Sequence, residues 1–505
     1  MKFEFYCCEE LPKLAWGLRV ESGSDVIRVA HGEWVEVGDL FFVEGAWDGE
    51  FREGRVEEAE SLMGSGAVIK QDQLVICPPA HITEAIYSIR GSECIWFSNS
   101  LPFVLEAANE KLRFDYLDYE SDFLRIADGL KKYKRDIPLQ SNNKLNIHLY
   151  YNLLVTKDLK ISEQKKPLSA DFSTFEEYKI FLIDTLKKIE ANARDSARKK
   201  TYRPIVFCSK GYDSVACAAI GKDIGCDEAV VFESKRSSRS DSGKEVVEQL
   251  GYSIIHEKEE LQYMACSIAE DFVASGELGT SIFFAAAEKE LTGSLLLSGV
   301  HGDRVWDKHL SCEDDELIRS FYPDSAKKEF RLRAGYIPVA IPFIGALKES
   351  NFYAISNSQA MKKWSVGGDY DRPIARRFAE EKGVRREAFG FMKSGGAGSS
   401  LRFLHLEYLK KVMPPGSFAD FEQFYKRTKS KRKKSLQYGF RSLVYFIYCI
   451  THLAEMKKIP LQKILKIDRW SLKLKCSPWA PSFLFLWGIN KLSTKYQKGA
   501  ARLKI

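Results

Sequence analysis

The sequence lacks the paired cysteines that mark disulfide frameworks and zinc sites. Its 11 cysteines are scattered singly, apart from the neighbours Cys7 and Cys8. There is no CxxC pair and no array of His and Cys at metal-site spacing. We therefore expect reduced, mostly buried thiols, and we expect neither structural zinc nor disulfide bonds.

Long hydrophobic runs are also missing. The first residues, Met1–Glu4, are not followed by the apolar segment of a signal or transit peptide. A last apolar stretch, Trp479–Ile489, is too short to cross a bilayer, which takes about 20 residues. These two absences predict a cytoplasmic protein.

Acidic residues are scarce near the end of the chain. The 505 residues have a net charge of +7, whereas segment 424–505 has 20 Lys or Arg and 2 Asp or Glu, a net charge of +18. Its densest basic run is Lys426–Lys434. The asymmetry indicates an anionic partner, either RNA or a membrane surface, or else a solvated basic face. The aromatic residues that follow are typical of the core of a packed helix: Tyr438, Phe440, Tyr445, Phe446 and Tyr448.

The overall composition, 45% hydrophobic and 29% charged, is that of a globular protein with two or three domains. Short alternating strands such as Glu33–Val43 and Gln73–Cys77 predict a β-rich, sandwich-like first domain at residues 1–165. The polar segment Ser162–Asp171 is interpreted as a linker. A long helix is predicted from about Thr174 to Lys199.

Beyond the linker, apolar strands alternate with helices. We predict strands at Pro204–Phe207, Glu228–Phe232, Tyr252–His256 and Ser294–Gly299, and helices from Ser214, from Ser242 and at Thr280–Leu291. These repeats predict a parallel α/β sheet in a domain at residues 172–415. From about Asp324 the chain is predicted to be mostly helical, and residues 416–505 form a basic helical extension.

One strand-to-helix turn has the features of an anion site. Its sequence is Ser209-Lys210-Gly211-Tyr212-Asp213-Ser214. The start of a helix directs backbone N–H groups and the positive end of its dipole at the loop, which favours phosphate. The glycine allows close backbone approach, the serines offer hydroxyl groups, and the aspartate is suited to hold Mg²⁺ beside a phosphate.

A second loop follows the fourth predicted strand. Its sequence is Ser298-Gly299-Val300-His301-Gly302-Asp303. Ligands of open parallel sheets bind beyond the carboxyl ends of the strands, so both loops are expected at the same sheet edge. There Asp213 and Asp303 would hold one Mg²⁺ ion while the backbone binds pyrophosphate.

Together, the two loops resemble those of the asparagine synthetase and ATP-pyrophosphatase families. The first is similar to the SGGxDS pyrophosphate loop, with Lys210 in place of one glycine. The second is similar to the SGEGADE loop, with Ser298, Gly299 and Asp303 in register and Gly302 in place of the alanine. The resemblance implies a PP-loop synthetase domain, like the adenine nucleotide α-hydrolases, that uses ATP and Mg²⁺.

Two further segments extend the resemblance. Tyr370–Gly398 is similar to a family stretch with a helix and a basic loop, where Lys393 takes the place of the lysine that steadies the adenylate. Such a lysine can neutralise a polyanionic transition state, although a surface lysine in a disordered loop is the other interpretation. Ile341–Ile344 resembles the RxPFLD segment. The family places adenine at the second strand, here near Val231 and Phe232.

The first domain resembles the amidotransferase half of asparagine synthetases in Val43–Gly49 and Phe97–Phe103. Those domains use a cysteine directly after the initiator methionine as the nucleophile, and this chain has Lys2 there. The resemblance implies an Ntn-hydrolase-like α+β fold, and the different residue predicts that glutaminase activity is absent.

For the whole chain, the resemblance implies a carbon-nitrogen ligase. A carboxyl or amide group of a small-molecule, sugar or peptide substrate is adenylated, pyrophosphate is released, and ammonia or an amine displaces AMP. The family glutamate that orients the amine is Val300 here, so we predict a relative of asparagine synthetase that forms another amide. His301 is the candidate base, and a histidine packed within the loop is the other interpretation.

Two other functions fit the same residues. The basic segment 424–505 favours an RNA-modifying ATP pyrophosphatase, although the missing CxxC pairs argue against thiolation. Lys210, Val300 and the missing cysteine nucleophile favour a non-catalytic descendant that binds a nucleotide or a partner.

Overall fold

A computed structural model describes residues 1–116, 118–169, 171–233, 241–275, 279–309, 317, 327–390, 401, 406–429, 439, 440, 443, 446, 447, 450 and 481–504. The architecture is mixed α/β and contains three sheets, of seven, six and five strands. The described cysteines are free thiols, and all are buried except Cys7 and Cys266.

The first two sheets are formed by residues 2–164. Their strands are β1 Lys2–Cys7, β2 Trp16–Glu21, β3 Val26–His31, β4 Glu36–Val37, β5 Phe41–Trp47, β6 Leu62–Lys70, β7 Gln73–Cys77, β8 Ile86–Arg90, β9 Cys94–Ser98, β10 Asp136–Pro138, β11 Lys144–His148, β12 Asn152–Val155 and β13 Ile161–Gln164. One sheet has the order β1-β3-β2-β9-β8-β11-β10 and is antiparallel except for the β1–β3 pair. The other has the order β13-β12-β7-β6-β5-β4 and is antiparallel.

The two sheets share one hydrophobic core, as the alternating pattern predicted. The ring of Trp16 on β2 packs edge-on against Phe42 on β5, with ring centroids 5.1 Å apart. Two details differ from the prediction. Glu33–Val43 is divided between β4 and β5 by a turn, and the first residues of the predicted linker belong to β13.

The third sheet is parallel throughout. Its strands are β14 Arg203–Cys208, β15 Glu228–Glu233, β16 Ile254–Glu259, β17 Ser294–Ser298 and β18 Ile337–Ala340, in the order β16-β15-β14-β17-β18. The four predicted strands are confirmed, with their ends displaced by a few residues. The fifth strand, β18, lies in a part of the chain that was predicted to be helical.

The helices complete the layers around the sheets. The described α-helices are α1 Leu101–Ala107, α2 Tyr119–Leu124, α3 Phe175–Arg194, α4 Tyr212–Gly221, α5 Lys244–Gln249, α6 Glu288–Leu291, α7 Gly302–Val305, α8 Lys328–Ala334, α9 Glu349–Asn357, α10 Pro373–Glu381, α11 Leu406–Val412, α12 Pro415–Thr428 and α13 Pro481–Lys504. Thr174 caps α3 in a capping box with Glu177, which explains why its start was predictable. The helix predicted at Thr280–Leu291 is a 3-10 segment, Ile282–Ala287, followed by α6.

The last helix returns to the beginning of the chain. The ring of Tyr496 on α13 stacks on Phe103 of α1 at 5.0 Å, and Arg19 on β2 donates a hydrogen bond of 2.9 Å to the carbonyl of Leu503. The apolar stretch Trp479–Ile489 lies partly in α13, where Leu484 and Trp487 are buried. Within the described ranges we find no helix with the length and apolar character needed to cross a membrane.

The aromatic residues after the basic run do not all lie in a core. Phe440 and Phe446 are 58% and 61% exposed, which corrects the prediction that they form the core of a packed helix. Tyr438, Tyr445 and Tyr448 lie outside the described residues. An apolar sequence pattern predicts a buried face only if another element covers that face, and composition does not reveal whether one does.

Candidate functional site

Both predicted loops leave the parallel sheet side by side. β14 ends at Cys208 and β17 ends at Ser298, and the two strands are paired, with Val206 opposite Leu297. The strand order reverses between them, because β15 and β16 lie on one side of β14 while β17 and β18 lie on the other. Such a switch point opens a crevice at the carboxyl ends of the strands, where ligands of α/β sheets bind.

The first loop is held together by its two serines. The hydroxyl of Ser214 accepts a 3.2 Å hydrogen bond from the N–H of Ser209 and lies 2.9 Å from the Ser209 hydroxyl. The Ser209 hydroxyl in turn accepts a 3.3 Å hydrogen bond from the N–H of Gly211, the residue before α4. These bonds shape the turn so that α4 starts directly behind it. Both serines are half-buried, within the loop that they organise.

Lys210 is anchored by its backbone on both sides. Its N–H donates a 3.1 Å hydrogen bond to the carbonyl of Asp241, and its carbonyl accepts a 2.9 Å hydrogen bond from the N–H of Gly390. Lys210, which stands where the similar pyrophosphate loops have a glycine, therefore joins the loop to two segments that are distant in sequence. Its side chain is half-buried.

The second loop packs against the first through its glycines. A Cβ added to Gly299 would lie 2.6 Å from both the carbonyl carbon and oxygen of Asp213. A Cβ added to Gly302 would lie 2.6 Å from Oδ1 of the same aspartate. Only residues without a side chain allow this approach, so the structure brings Asp213, Gly299 and Gly302 together as the sequence predicted.

Asp303 lies in the short helix α7, beside this contact. Its backbone carbonyl accepts a 3.3 Å hydrogen bond from Nη2 of Arg372, which also forms a 2.8 Å ion pair with Asp307 through Nη1. Asp213 and Asp303 are both half-buried as residues, and Oδ1 of Asp213 is itself buried beside Gly302. Carboxylate oxygens of this kind suit Mg²⁺, which is commonly bound by one or two carboxylates together with substrate phosphates.

The described part of the chain contains no group of three or more His, Cys, Asp or Glu side chains arranged to hold a metal ion. A magnesium ion bound at this edge of the sheet would therefore depend on phosphate and water oxygens to complete its coordination. Asp213 and Asp303 could supply the one or two carboxylate ligands of such an ion. The described residues do not supply a full set of protein ligands for it.

His301 is buried and tightly packed. Its backbone has φ +75°, a left-handed conformation that is uncommon for residues other than glycine. Its ring stacks on Phe343 with centroids 4.3 Å apart and planes 8° apart. Phe343 belongs to Ile341–Ile344, the segment similar to RxPFLD. The structure thus buries His301, the candidate base, with its ring packed against that of Phe343.

Tyr212 holds the start of α4 in place. The residue is fully buried, and its hydroxyl accepts a 2.6 Å hydrogen bond from Nη2 of Arg376 on α10. Its ring lies 4.8 Å from that of Tyr370 and 5.8 Å from that of Phe389. Sequence reasoning named Tyr212 as a binding residue but missed Arg376, which sits inside the Tyr370–Gly398 segment with no pattern to distinguish it from the surrounding arginines.

The two residues predicted near adenine differ in exposure. Val231 is fully buried in β15, opposite Cys208, so its side chain belongs to the core. Phe232 is half-buried at the strand end, with its ring 5.5 Å from Phe207 and 4.9 Å from Phe283. Of the pair, Phe232 is the side chain that can contact a ligand.

Lys393 lies outside the described residues. Gly390, three positions earlier, donates its N–H to the carbonyl of Lys210, and its Cα packs on the ring of Tyr212.

A small cavity adjoins the second loop on the side of the β-sandwich. It has space for roughly one water molecule, about 10 Å³ for the centre of a water-sized sphere. Ser298 and Val300 line it together with His81 and Glu84, which come from the first part of the chain. Burial lowers the pKa of His81 to about 4, so its ring is neutral near neutral pH. Sequence reasoning missed His81, which no pattern singles out.

A scan against protein-family models finds no family that matches this chain, and a search of curated proteins finds no match either.

Proposed function

We propose that the protein is an ATP-dependent, AMP-forming carbon-nitrogen ligase that resembles asparagine synthetase. It would adenylate a carboxyl or amide group of its substrate, release pyrophosphate, and transfer ammonia or another amine to the activated group. We also infer that the parallel sheet belongs to a PP-loop synthetase domain and that the β-sandwich is an Ntn-hydrolase-like domain without glutaminase activity.

The observation that carries this proposal is the contact between the two loops at the switch point. Gly299 and Gly302 approach the backbone and the carboxylate of Asp213, directly beside the start of α4. A helix start, a small-residue loop and two aspartates at the carboxyl edge of a parallel sheet are the parts that a Mg-triphosphate site requires.

Each part has a role in the proposed reaction. The turn at Ser209 and Gly211, with the N–H groups of the first turn of α4, would bind the pyrophosphate portion of ATP. Asp213 and Asp303 would hold Mg²⁺, which when bound supplies positive charge to the phosphate oxygens. Lys393 would neutralise charge that develops as pyrophosphate leaves.

The amine half of the reaction differs from that of asparagine synthetases. Val300 is apolar, so it cannot orient an amine as the family glutamate does. His301, the next residue, is the candidate acceptor of the proton that the amine loses. Its stack on Phe343 fixes the plane of the ring. These differences support a substrate other than aspartate.

Exchange of radiolabelled pyrophosphate into ATP tests the proposal with the full-length protein and a panel of carboxylates. We expect exchange that requires one acid or a narrow class of acids and that falls at least about a hundredfold in Asp303→Asn and Asp213→Asn, as for a lost interaction with transition-state charge. Asp184→Asn, an exposed aspartate on α3, is the matched control and should exchange normally.

Other outcomes would change the role of Asp303 or favour a different function. Exchange unaffected by Asp303→Asn would remove this residue from the magnesium site. Exchange that requires added RNA and no carboxylate would identify an RNA-modifying ATP pyrophosphatase. Binding of ATP without exchange for any substrate would favour a non-catalytic nucleotide-binding protein.

A further inference from the structure

Arg372, at the start of α10, fastens the helix that carries Asp303. Its side chain is buried, with 4% of its surface exposed. Nη2 donates a 3.3 Å hydrogen bond to the backbone carbonyl of Asp303, and Nη1 forms a 2.8 Å ion pair with Asp307. One acceptor lies within α7 and the other just after it. A single guanidinium therefore joins this short helix to α10.

α7 cannot fix Asp303 through its own hydrogen bonds alone. The helix has four residues, and the last carbonyls of any helix have no partner within the helix. The N–H of Asp307, which would reach the Asp303 carbonyl in a longer helix, donates instead to the carbonyl of Arg304 at 3.4 Å. Arg372 thus supplies the donor that the backbone does not, at the residue that the proposed function assigns to Mg²⁺.

The segment that carries Arg372 is itself firmly held. Asp371, the preceding residue, is fully buried. Its carboxylate accepts hydrogen bonds from the N–H groups of Val366 and Gly367, at 3.2 and 3.0 Å, and forms a 3.5 Å ion pair with Lys308. Because its neighbour is anchored in this way, the guanidinium of Arg372 is directed at α7 from a fixed position.

The same segment also contacts the first loop. The ring of Tyr370 lies 4.8 Å from that of Tyr212 and 5.4 Å from the guanidinium carbon of Arg372. Burial and the charge of Asp213 raise the pKa of Tyr370 to about 12, so its hydroxyl lies within the influence of that carboxylate. Three consecutive residues therefore contact the surroundings of both proposed magnesium ligands, Asp213 and Asp303.

We propose that Arg372 is a positioning residue, which holds Asp303 where it can bind Mg²⁺ together with Asp213. The inference rests on the proposed ATP-dependent function. Arginine has only hydrogen-bond donors, so Arg372 is not itself a ligand of the ion. Groups that orient the ligands of a metal typically change its affinity by about 10- to 100-fold when they are removed.

The sign of the effect separates positioning from charge. A cation beside the metal ligands repels Mg²⁺, so loss of the charge alone would strengthen metal binding. Loss of positioning would weaken it. Lysine at position 372 keeps the charge, but its ammonium group lacks the planar fork that reaches two acceptors. Arg372→Lys should therefore resemble Arg372→Met if position matters, and the wild type if charge matters.

Calorimetric titration of the full-length protein with ATP, once with Mg²⁺ and once with EDTA, tests the inference. The ratio of the two affinities measures how much the metal strengthens binding. We expect this ratio to fall about tenfold in Arg372→Lys and Arg372→Met. It should fall by a smaller factor in Asp307→Asn, which removes one of the two anchors. In pyrophosphate exchange, the Mg²⁺ concentration for half-maximal rate should rise, with a smaller change in the rate at saturating Mg²⁺.

Two controls identify how Arg372 acts. In a double-mutant cycle, Arg372→Met should add little to Asp303→Asn, because both changes disable the same ligand. Arg198→Met removes an arginine that is similarly buried, 7% exposed, and that donates to the carbonyls of Gly45 and Asn192. That variant should lose stability in thermal unfolding and keep the wild-type ratio of affinities.

Four results would overturn the inference. Two are a ratio that is unchanged or larger in Arg372→Met, and a ratio in Arg372→Lys that equals that of the wild type. The third is an effect of Arg372→Met that adds fully to that of Asp303→Asn. In these three cases the wild type still responds to Mg²⁺, and the proposed function stands. The fourth is a wild type whose affinity for ATP does not respond to Mg²⁺, which would overturn the proposed function as well.

Discussion

The Cα of Gly299 lies against the backbone carbonyl of Asp213, so that a Cβ on the glycine would sit 2.6 Å from that carbonyl. Gly299 begins the loop after β17, whereas Asp213 lies in the first turn of α4, and the two residues are 86 positions apart in the sequence. The glycine is needed here for close approach, since its backbone does not adopt the left-handed conformation that usually favours glycine. This contact sets how near the two proposed magnesium ligands can come.

Alanine at Gly299 tests the contact directly. Because the obstructing atoms belong to the backbone, the loops must separate, and we expect pyrophosphate exchange to fall at least about tenfold with a loss of stability of about 1–3 kcal/mol. Gly302→Ala meets the movable carboxylate of Asp213 and should lower exchange with less effect on stability. Gly439→Ala, which has no atom within 4 Å of the added Cβ, should behave like the wild type. Wild-type exchange by Gly299→Ala would contradict the proposed site.

The hydroxyl of Tyr212 is predicted to support α4 through Arg376. Tyr212→Phe removes the acceptor of a 2.6 Å hydrogen bond and leaves a buried guanidinium N–H unsatisfied, which costs about 1–3 kcal/mol. We expect a lower midpoint in urea unfolding and a higher KM for ATP. Tyr353→Phe, at a 40% exposed tyrosine, is the control and should change neither quantity. An unchanged midpoint in Tyr212→Phe would mean that Arg376 finds another partner.

Arg331 on α8 forms ion pairs with two glutamates from the part of the chain that contains the antiparallel sheets. Its guanidinium forms buried ion pairs of 2.7 Å with both Glu44 and Glu84. Arg331→Met would remove the ion-pair partner of two buried carboxylates, and we expect a loss of about 3–5 kcal/mol near neutral pH in urea unfolding. Arg52→Met, which removes an exposed arginine, is the control.

The loss of stability in Arg331→Met should depend on pH. Burial alone would raise the pKa of Glu84, but the charges of Arg331 and Lys328, together with the hydrogen bonds from Arg331, outweigh burial and hold that pKa below its usual value. The pair therefore stabilises the wild type above the unfolded pKa, about 4.3, and that contribution disappears as the pH falls. The difference in unfolding free energy between the wild type and Arg331→Met should thus narrow as the pH falls below about 4.3. A difference in unfolding free energy that does not change with pH would show that Arg331 stabilises the fold through packing and not through its charge.

His148 on β11, a half-buried histidine, should make the stability of the fold sensitive to mild acid. Burial lowers the pKa of His148 from 6.5 to about 4, and its Nε2 lies 2.8 Å from the hydroxyl of Ser88. Between these pH values the unfolded chain binds a proton that the folded chain excludes, so stability falls as the pH decreases through that range. We expect His148→Gln to lose stability less steeply in unfolding curves between pH 6.5 and 4. His309→Gln, at an exposed histidine, should keep the wild-type slope.

Local patterns were sufficient to predict four strands of the parallel sheet and the start of α3. The strands from β14 to β17 are continuous apolar runs between polar turns, and Thr174 with Glu177 forms a capping box within four residues. β18 was missed because four residues that include a proline carry little periodicity. Its extended form depends on pairing with β17.

The candidate site, too, was predictable from the sequence only in part. Spacing alone located Ser209, Asp213 and Asp303 on loops at one edge of the sheet, because parallel strands bring their carboxyl ends together. The partners of those loops were not predictable. Arg376 meets Tyr212 across 164 positions, and the pattern of residues around either one does not indicate the other.

Phe440 and Phe446 show the same limit of prediction from sequence. Their sequence is apolar enough for a core, yet they are exposed, because burial depends on whether another element packs on that side. Short-range physical chemistry, which acts over a few neighbouring residues, therefore determined the strands, the helix starts and the polar loops. The packing of sheets and helices brought distant residues into contact, and this settled which glycines must lack a side chain, which charges are paired and which apolar residues stay exposed to solvent.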